Sequence, residues 1–431
     1  MKHLKKIAGK CIVGVFALGT IAAPSAASAA PNTLDDLDKV NALTLDEAID
    51  RALNQSFNRE LLELQYKALT YKEEDLEESK DDLDDALDSQ EDSSFTLPEA
   101  REDFFDPKYQ IPPTVTPEQM VWMGPLIETN AVLNEVLNGI GDITDAMNDM
   151  LEQQRNELEI AIEQIETEQD KVSIHEEEAK TAAELMIKGS YIQVLSDQKQ
   201  IELLEESLVH ASRNVIALQT QANYGIVTQE DVRKTYQAKV DQEDQLKQLQ
   251  LDYKQHLAQL SLQLGIEYNP DLLLSDIVFH PTPVKRKSGD QLLDDAYALQ
   301  TMDEDIEQAE WEEGHTDTTS NAGEDYLEQQ TEIAETTRTQ KTFELVASIG
   351  QTYTDAEKAY AAYIAAREDI LPVSHELRDA QARFANGVIT RHQLDQLRMK
   401  LIQARAELEL RKLSYYAADA QVEAMEEGLI Q

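Results

Sequence analysis

The twelve prolines of this 431-residue chain are placed so unevenly that they decide what most of it can become. Six fall between 98 and 125. None occurs in 32–97, 126–269, 284–371 or 373–431. An interior proline removes a backbone donor and clashes with the preceding turn, at about 3 kcal/mol. Long tracts without it, rich in Glu, Gln, Leu and Ala, suit long helices. At about 1.5 Å per residue, a tract such as 126–222 would run beyond about 100 Å as one helix. Only 6% of residues are aromatic and 15 are glycine, which sets an all-β sandwich aside.

Within these tracts apolar residues recur every seven positions. One stripe is Leu151, Leu158, Ile165, Val172, Ala179 and Met186. A second is Ile201, Leu208, Val215 and Ala222, flanked by Leu204, Ala211 and Leu218. A third is Ala356, Tyr363, Ile370, Leu377 and Phe384, beside Ala359, Ala366, Val373 and Ala380. The last is Leu394, Leu401, Leu408 and Tyr415. Paired stripes at three- and four-residue spacing make the narrow seam of a coiled coil. The remaining faces are charged or amidic. The fold class is therefore all-α, built of long coiled-coil hairpins.

The pattern occurs twice. Asn223-Tyr224-Gly225-Ile226-Val227-Thr228 matches Ala385-Asn386-Gly387-Val388-Ile389-Thr390 at an offset of 162 residues. At that offset Val232 meets Leu394, Val240 meets Ile402, Leu246 meets Leu408, Leu251 meets Leu413, Tyr253 meets Tyr415 and Ala258 meets Ala420. Glycine takes the left-handed conformation that closes a helix, and threonine caps the next one. Each copy therefore predicts a helix–turn–helix hairpin with two apolar β-branched residues at its tip, which favours a contact surface. A weaker match, Leu45-Asp46-Glu47-Ala48 with Leu293-Asp294-Asp295-Ala296, starts each half. The expected organisation is an export signal over 1–29, a first repeat over 30–265 with a Pro-rich insert at 91–125, a linker over 266–289 and a second repeat over 290–431.

The chain carries 84 acidic and 38 basic residues, a net charge of −46. Nucleic acid and anionic membrane surfaces need clustered Lys and Arg, so neither is an expected partner. Lys2, Lys5, Lys6 and Lys10 precede the apolar run Cys11–Leu18, and Ala27-Ser28-Ala29 fits a cleavage site. Cys11 is the sole cysteine, so the cleaved chain would hold no disulfide. No segment after the signal is apolar enough for a transmembrane helix.

Together these features resemble the TolC-type outer-membrane efflux duct family. The residues that carry the resemblance are the opening Leu43-Thr44-Leu45-Asp46-Glu47-Ala48-Ile49-Asp50-Arg51-Ala52-Leu53-Asn54 and the two tip motifs, in the order short helix, long helix, tip, returning helix, repeated once. The resemblance implies a TolC-like α-barrel protomer. Three chains would close a tube of helices, with the tips docking a periplasmic adaptor joined to an inner-membrane pump. By this carry-over Gly225, Ile226, Val227 and Thr228, with Gly387, Val388, Ile389 and Thr390, form the partner-binding surface. Arg391 and Asp395 are candidates for the channel entrance, although the family's acidic entrance positions fall nearer Gln393 and Gln396.

The expected departure from the family is its membrane barrel. A barrel strand needs about 9–11 residues of alternating polarity. The candidate region in the first half is the proline cluster 91–125, and prolines cannot serve a closed hydrogen-bonded barrel. In the second half only the polar stretch Gly314–Gly323 separates the helices. The sequence thus predicts a helical duct or stalk with no evident β-barrel, exported to the cell envelope. That means the periplasmic or outer-membrane side in a two-membrane cell, and the wall or extracellular side in a one-membrane cell. Phe104, Phe105, Val121, Trp122 and Met123 lend the insert an apolar character.

No enzyme motif emerges. His175-Glu176-Glu177-Glu178-Ala179 lacks the second histidine of a zinc protease. The acidic run Asp81–Asp88 lacks the glycine and spacing of a calcium loop and reads as a solvated helix face. No cofactor or metal is expected. The other reading is a structural coiled-coil protein of the envelope with no transport role.

Overall fold

The computed structural model describes residues 38–54, 57–91, 117–316 and 320–430. The export segment and the larger part of the proline-rich insert, 92–116, lie outside them. Among the described residues eight helices and two short strands follow in order. They are β1 (Ala42–Leu43), α1 (Leu45–Asn54), α2 (Phe57–Glu91), α3 (Pro117–Asn223), α4 (Gln229–Gln263), β2 (Leu273–Leu274), α5 (Gly289–Asp294), α6 (Tyr297–His315), α7 (Asn321–Ala385) and α8 (Arg391–Glu426). The helices form two series of four, each running short helix, helix, longest helix, returning helix. No described helix is long and apolar enough to cross a membrane.

At 107 residues, α3 has a contour of about 160 Å. It begins at Pro117, so 117–125 is helical rather than part of the expected insert. Proline suits the first helical position, where its missing N–H would be unpaired anyway. Helix α7 likewise continues through Pro372.

The chain divides into two compact units. The first comprises residues up to Leu62, Glu176–Ala296 and Leu345–Gln431. Its core gathers Leu43, Ala48 and Ala52 with Ile187, Tyr191, Val194 and Leu195 of α3, Leu257 and Leu260 of α4, and Leu264, Ile266 and Leu272 beyond it. Tyr191 is fully buried. Its hydroxyl lies 3.0 Å from the Leu43 carbonyl and 2.8 Å from that of Ser275, and burial pushes its pKa up to about 12. Strands β1 and β2 pair in parallel, Ala42 with Leu273 and Leu43 with Leu274. The stretch expected as a linker is thus pinned to the core by a strand pair that its short run of three leucines did not signal.

Burial extends the repeat beyond the residues that suggested it. At the same offset of 162, Ala183 and Leu345, Ile187 and Ile349, Tyr191 and Tyr353, and Val194 and Ala356 are all buried. The match at the head of each half needs correction. Leu45 opens α1, whereas Leu293 lies at the end of α5. An offset of 244 instead sets buried Ala48 on buried Leu292, Ala52 on Ala296, and Thr44 on Ser288, the residue before α5.

The stripes also shift. On α7, Ala356, Ala366 and Ala380 of the expected seam are buried, whereas Ala359, Tyr363, Ile370, Val373 and Leu377 are half-buried and Phe384, near the tip, is exposed. On α3, Ile165 and Val172 are buried, but the next members Ala179 and Met186 are only half-buried. Burial passes to Ala183 and Val194, in steps of eleven from Val172. A seven-residue repeat drifts across a straight helix, whereas eleven residues, at about 3.67 per turn, hold one face almost fixed.

The second unit comprises Glu63–His175 and Tyr297–Glu344. Ion pairs tie α2 to α3, as in Lys80–Glu159 at 2.8 Å and Arg155–Asp84 at 2.9 Å. Lys171 of α3 reaches Asp305 of α6. In the acidic run, Leu83 turns inward while Asp81, Asp82, Asp85 and Asp88 are exposed, which is the solvated face expected.

Candidate docking surface at the hairpin tips

Both tips are built by the same backbone device. At the end of α3, the N–H of Ile226 donates to the Gln221 carbonyl (2.9 Å) and that of Gly225 to Ala222 (3.0 Å). At the end of α7, Val388 donates to Arg383 (2.8 Å) and Gly387 to Phe384 (2.9 Å). This six-to-one and five-to-two pair closes a helix through one left-handed residue. Gly225 has φ 69° and Gly387 φ 68°. A Cβ at either would meet no atom within 4 Å, so conformation alone demands glycine here.

Three residues after each glycine a threonine starts the returning helix. Thr228 accepts from the Asp231 N–H, and Asp231 Oδ2 accepts from the Thr228 N–H at 3.1 Å. Thr390 and Gln393 exchange the same two bonds. Both are complete capping boxes. Hydrogen bonds from the Thr228 side chain, then its backbone, hold the Asp231 carboxyl below its usual range.

Between glycine and threonine, the first residue points outward and the second is half-covered. Ile226 is 70% exposed and Val388 63%; Val227 and Ile389 are half-buried. Tyr224 and Phe384 add exposed apolar surface beside them. The sequence placed Tyr224 in the tip motif and Phe384 on a helix seam, but only the β-branched pairs were expected as contact surface; Tyr224 lies one residue before Gly225 and Phe384 three before Gly387.

The two tips lie at the same end of the first unit. Lys188 of α3 pairs with Glu423 of α8 at 3.1 Å, 37 residues before Gly225 and 36 after Gly387. Burial disfavours the Lys188 ammonium, but Glu184 and Glu423 outweigh it and hold its pKa above the usual lysine value. Nearer the tips His210 of α3 stacks on His392 of α8 with ring centroids 6.3 Å apart. The two helices therefore run antiparallel.

Arg391 and Asp395 come together, but loosely, at 3.9 Å. Arg391 projects into solvent, whereas Asp395 is only 17% exposed and lies 3.2 Å from Arg398. Asp395 lines a groove between α3 and α8 with Glu202, Glu206, His210, Arg213 and Met399. Gln393 is taken up by its capping box. Among the described residues no group of three or more metal-ligating side chains occurs.

The first unit treats its two returning helices unequally. At the repeat offset Leu251 and Leu262 of α4 correspond to Leu413 and Ala424 of α8. Leu413 is 9% exposed and Ala424 5%, but Leu251 is 60% exposed and Leu262 64%.

No protein-family model and no curated protein matches the chain. Solved structures do. One is the outer membrane protein VceC of Vibrio cholerae, with 13% identity, covering 63% of this chain and 76% of that one, TM-score 0.49. Another is the Campylobacter jejuni CmeC outer membrane channel, with 13% identity over 64% and 68%, TM-score 0.49. A third is the open state of the Neisseria gonorrhoeae MtrE outer membrane channel, with 12% identity over 63% and 72%, TM-score 0.49. At such identities and scores neither activity nor assembly follows from the likeness.

Proposed function

We propose that this chain is a subunit of a TolC-like passive duct or stalk in an envelope-spanning export assembly. It assembles as a homotrimer. Energy comes from an inner-membrane pump reached through an adaptor protein. The repeats are 30–265 and 290–431, joined by 266–289 and delivered by the signal at 1–29. Gly225, Ile226, Val227, Thr228, Gly387, Val388, Ile389 and Thr390 dock the adaptor, with Arg391 and Asp395 at the entrance.

The observation that carries this reading is the unequal cover of α4 and α8. Within the chain, α8 buries Leu413 and Ala424 while α4 leaves Leu251 and Leu262 in water. A repeat whose second copy is covered inside the chain, and whose first copy is not, is completed when the first copy meets another chain. Repeated head to tail with closure, that contact makes a ring. The twin tips then form a circle of exposed isoleucine and valine at one end, as a docking surface requires.

Docking is tested by Ile226→Asp with Val388→Asp. Both side chains are exposed, so helicity by circular dichroism is expected to stay unchanged while the adaptor no longer co-purifies. Retained co-purification would refute the docking role. A rod with no central channel would favour the purely structural reading.

A further inference from the structure

We propose that residues 126–150 of α3 form a seam between chains, packing in parallel against the same stretch of two further copies as a three-stranded coiled coil. Within the second unit the other helices end before α3 does. Glu159 pairs with Lys80 and Arg155 with Asp84. Both pairs have residue numbers adding to 239, so Glu91, the end of α2, stands level with residue 148 of α3. Gln164 lies 2.8 Å from Glu312, which puts His315, the end of α6, level with residue 161. Thr331 reaches Glu313 at 2.9 Å, so Asn321, where α7 starts, stands level with residue 153. From Pro117 to residue 148, α3 runs for about 45 Å with no other described helix beside it.

That stretch is apolar at seven-residue spacing. Val136, Ile143 and Met150 form one stripe and are 54%, 68% and 53% exposed. Leu126, Leu133, Ile140 and Met147 make the stripe beside it, in the three-and-four spacing of a coiled-coil seam. Where α3 does have neighbours, Ile165 and Val172 are buried. A helix in water is held mostly by packing, and this stretch contains Gly124, Pro125, Gly139 and Gly141, which weaken it further. It calls for a partner.

The seam itself says which. No Lys or Arg occurs between Pro117 and Gln154. The acids Glu135, Asp142, Asp145 and Asp149 are exposed and fall on the face away from the stripes. The flanking positions, where charges choose or reject a coiled-coil partner, hold Val132, Leu137, Gly139, Thr144 and Ala146. Nothing there opposes an identical helix. Leucine in one stripe with valine and isoleucine in the other, and Ile140 next to Ile143, favour three or four strands over two. The chain's own 92–116 contains Pro98, Pro107, Pro112 and Pro113, which a matching helix excludes. The seam rests on the duct reading for its count of three. The α4 contact gathers the chains, and the seam closes once they are gathered.

Cross-linking on the mature chain, which has no cysteine of its own once Cys11 is removed, tests it. A cyclic assembly sets like residues at one level. With a short bismaleimide, Ile143→Cys and Val136→Cys, both at exposed sites, should each give a covalent pair of chains. Asp145→Cys, on the opposite face, should give about tenfold less, because only seam thiols are held within reach of each other. Light scattering on the same samples separates the two readings. A trimer mass with no cross-link at 136 and 143, the result expected if 92–116 covers the stripe instead, overturns the seam and leaves the duct reading standing. So does a trimer mass with an equal cross-link at 145. A single-chain mass overturns both.

Discussion

Helices α4 and α8 descend from one pattern yet meet different surroundings. Helix α8 shares its hairpin with α7, through Tyr360 on Tyr415 (ring centroids 5.2 Å), and also meets α3, through Lys188–Glu423. It buries Leu394, Met399, Leu413, Tyr415, Ala420, Val422, Ala424 and Met425. Helix α4 buries Leu257, Leu260, Ser261 and Gln263, all near its far end. The hairpins also hold together differently. In the first, the buried Asp197 of α3 lies 2.6 Å from His256 of α4. The equivalent positions in the second are Ala359 and Ala418. The tip geometry, by contrast, is nearly identical. The turn is dictated by backbone hydrogen bonds, and only certain residues can make it. A helix seam can be closed by an ion pair, by aromatics or by another chain, so it is free to diverge.

The largest effect that could break this comparison is at the paired tyrosines of the returning helices. Tyr415→Ala empties a fully buried site and should cost about 3–5 kcal/mol in denaturant unfolding. Tyr253→Ala, at a half-buried site, should cost well under half as much. Equal losses would mean that α4 is covered as completely as α8. Next comes His256→Ala, which leaves the Asp197 carboxylate with Gln193 as its remaining side-chain partner at 2.9 Å. A loss of about 2–3 kcal/mol is expected, with exchange protection falling in the first hairpin and not the second.

Gly225→Ala and Gly387→Ala should each cost about 1–2 kcal/mol, because an L side chain is strained in the left-handed region. Near-equal values would sharpen the repeat, and a difference above about 1 kcal/mol would break it. The smallest contrast is in acid. The carboxyl of Asp231 is held below its usual range when folded, so its contribution is present above the unfolded value and lost as pH falls through the folded one. Acidification below about pH 4 should fray the start of α4. The start of α8, capped by the neutral Gln393, should not respond. Segment-resolved exchange at pH 5 and pH 3 separates the two.

Much of this was legible because it is written in backbone chemistry. Glycine three residues before threonine, twice, encodes a turn that few other sequences make. The proline-free tracts marked α4 and α8 whole for the same reason, and α3 and α7 only in part, since α3 begins at Pro117 and includes Pro125 and α7 runs through Pro372. Side-chain surroundings were harder to read. A seven-residue stripe on α3 was the right face at Ile165 and Val172 but the wrong one at Met186, since drift depends on how a long helix curves. Tyr191 and Tyr353 stand 162 apart in plain view, yet their role depends on backbone groups far away in sequence: the carbonyls of Leu43 and Ser275 for Tyr191, and the Lys287 N–H, 3.0 Å from the hydroxyl, for Tyr353. The β1–β2 pair has too few residues to leave a pattern. Leu251 and Leu413 look alike in the sequence, since heptad seams are satisfied equally by neighbours within and between chains.

Whether the exposed face of α4 is covered by a second chain is decided by mass in solution. Light scattering on the chain from residue 30 onward should give three times the mass of one chain, with a central hollow in averaged particle images. Leu251→Asp, placed on the uncovered face of α4, should return it to a single-chain mass with its helicity intact. A single-chain mass for the unaltered protein, or a trimer indifferent to Leu251→Asp, would contradict it.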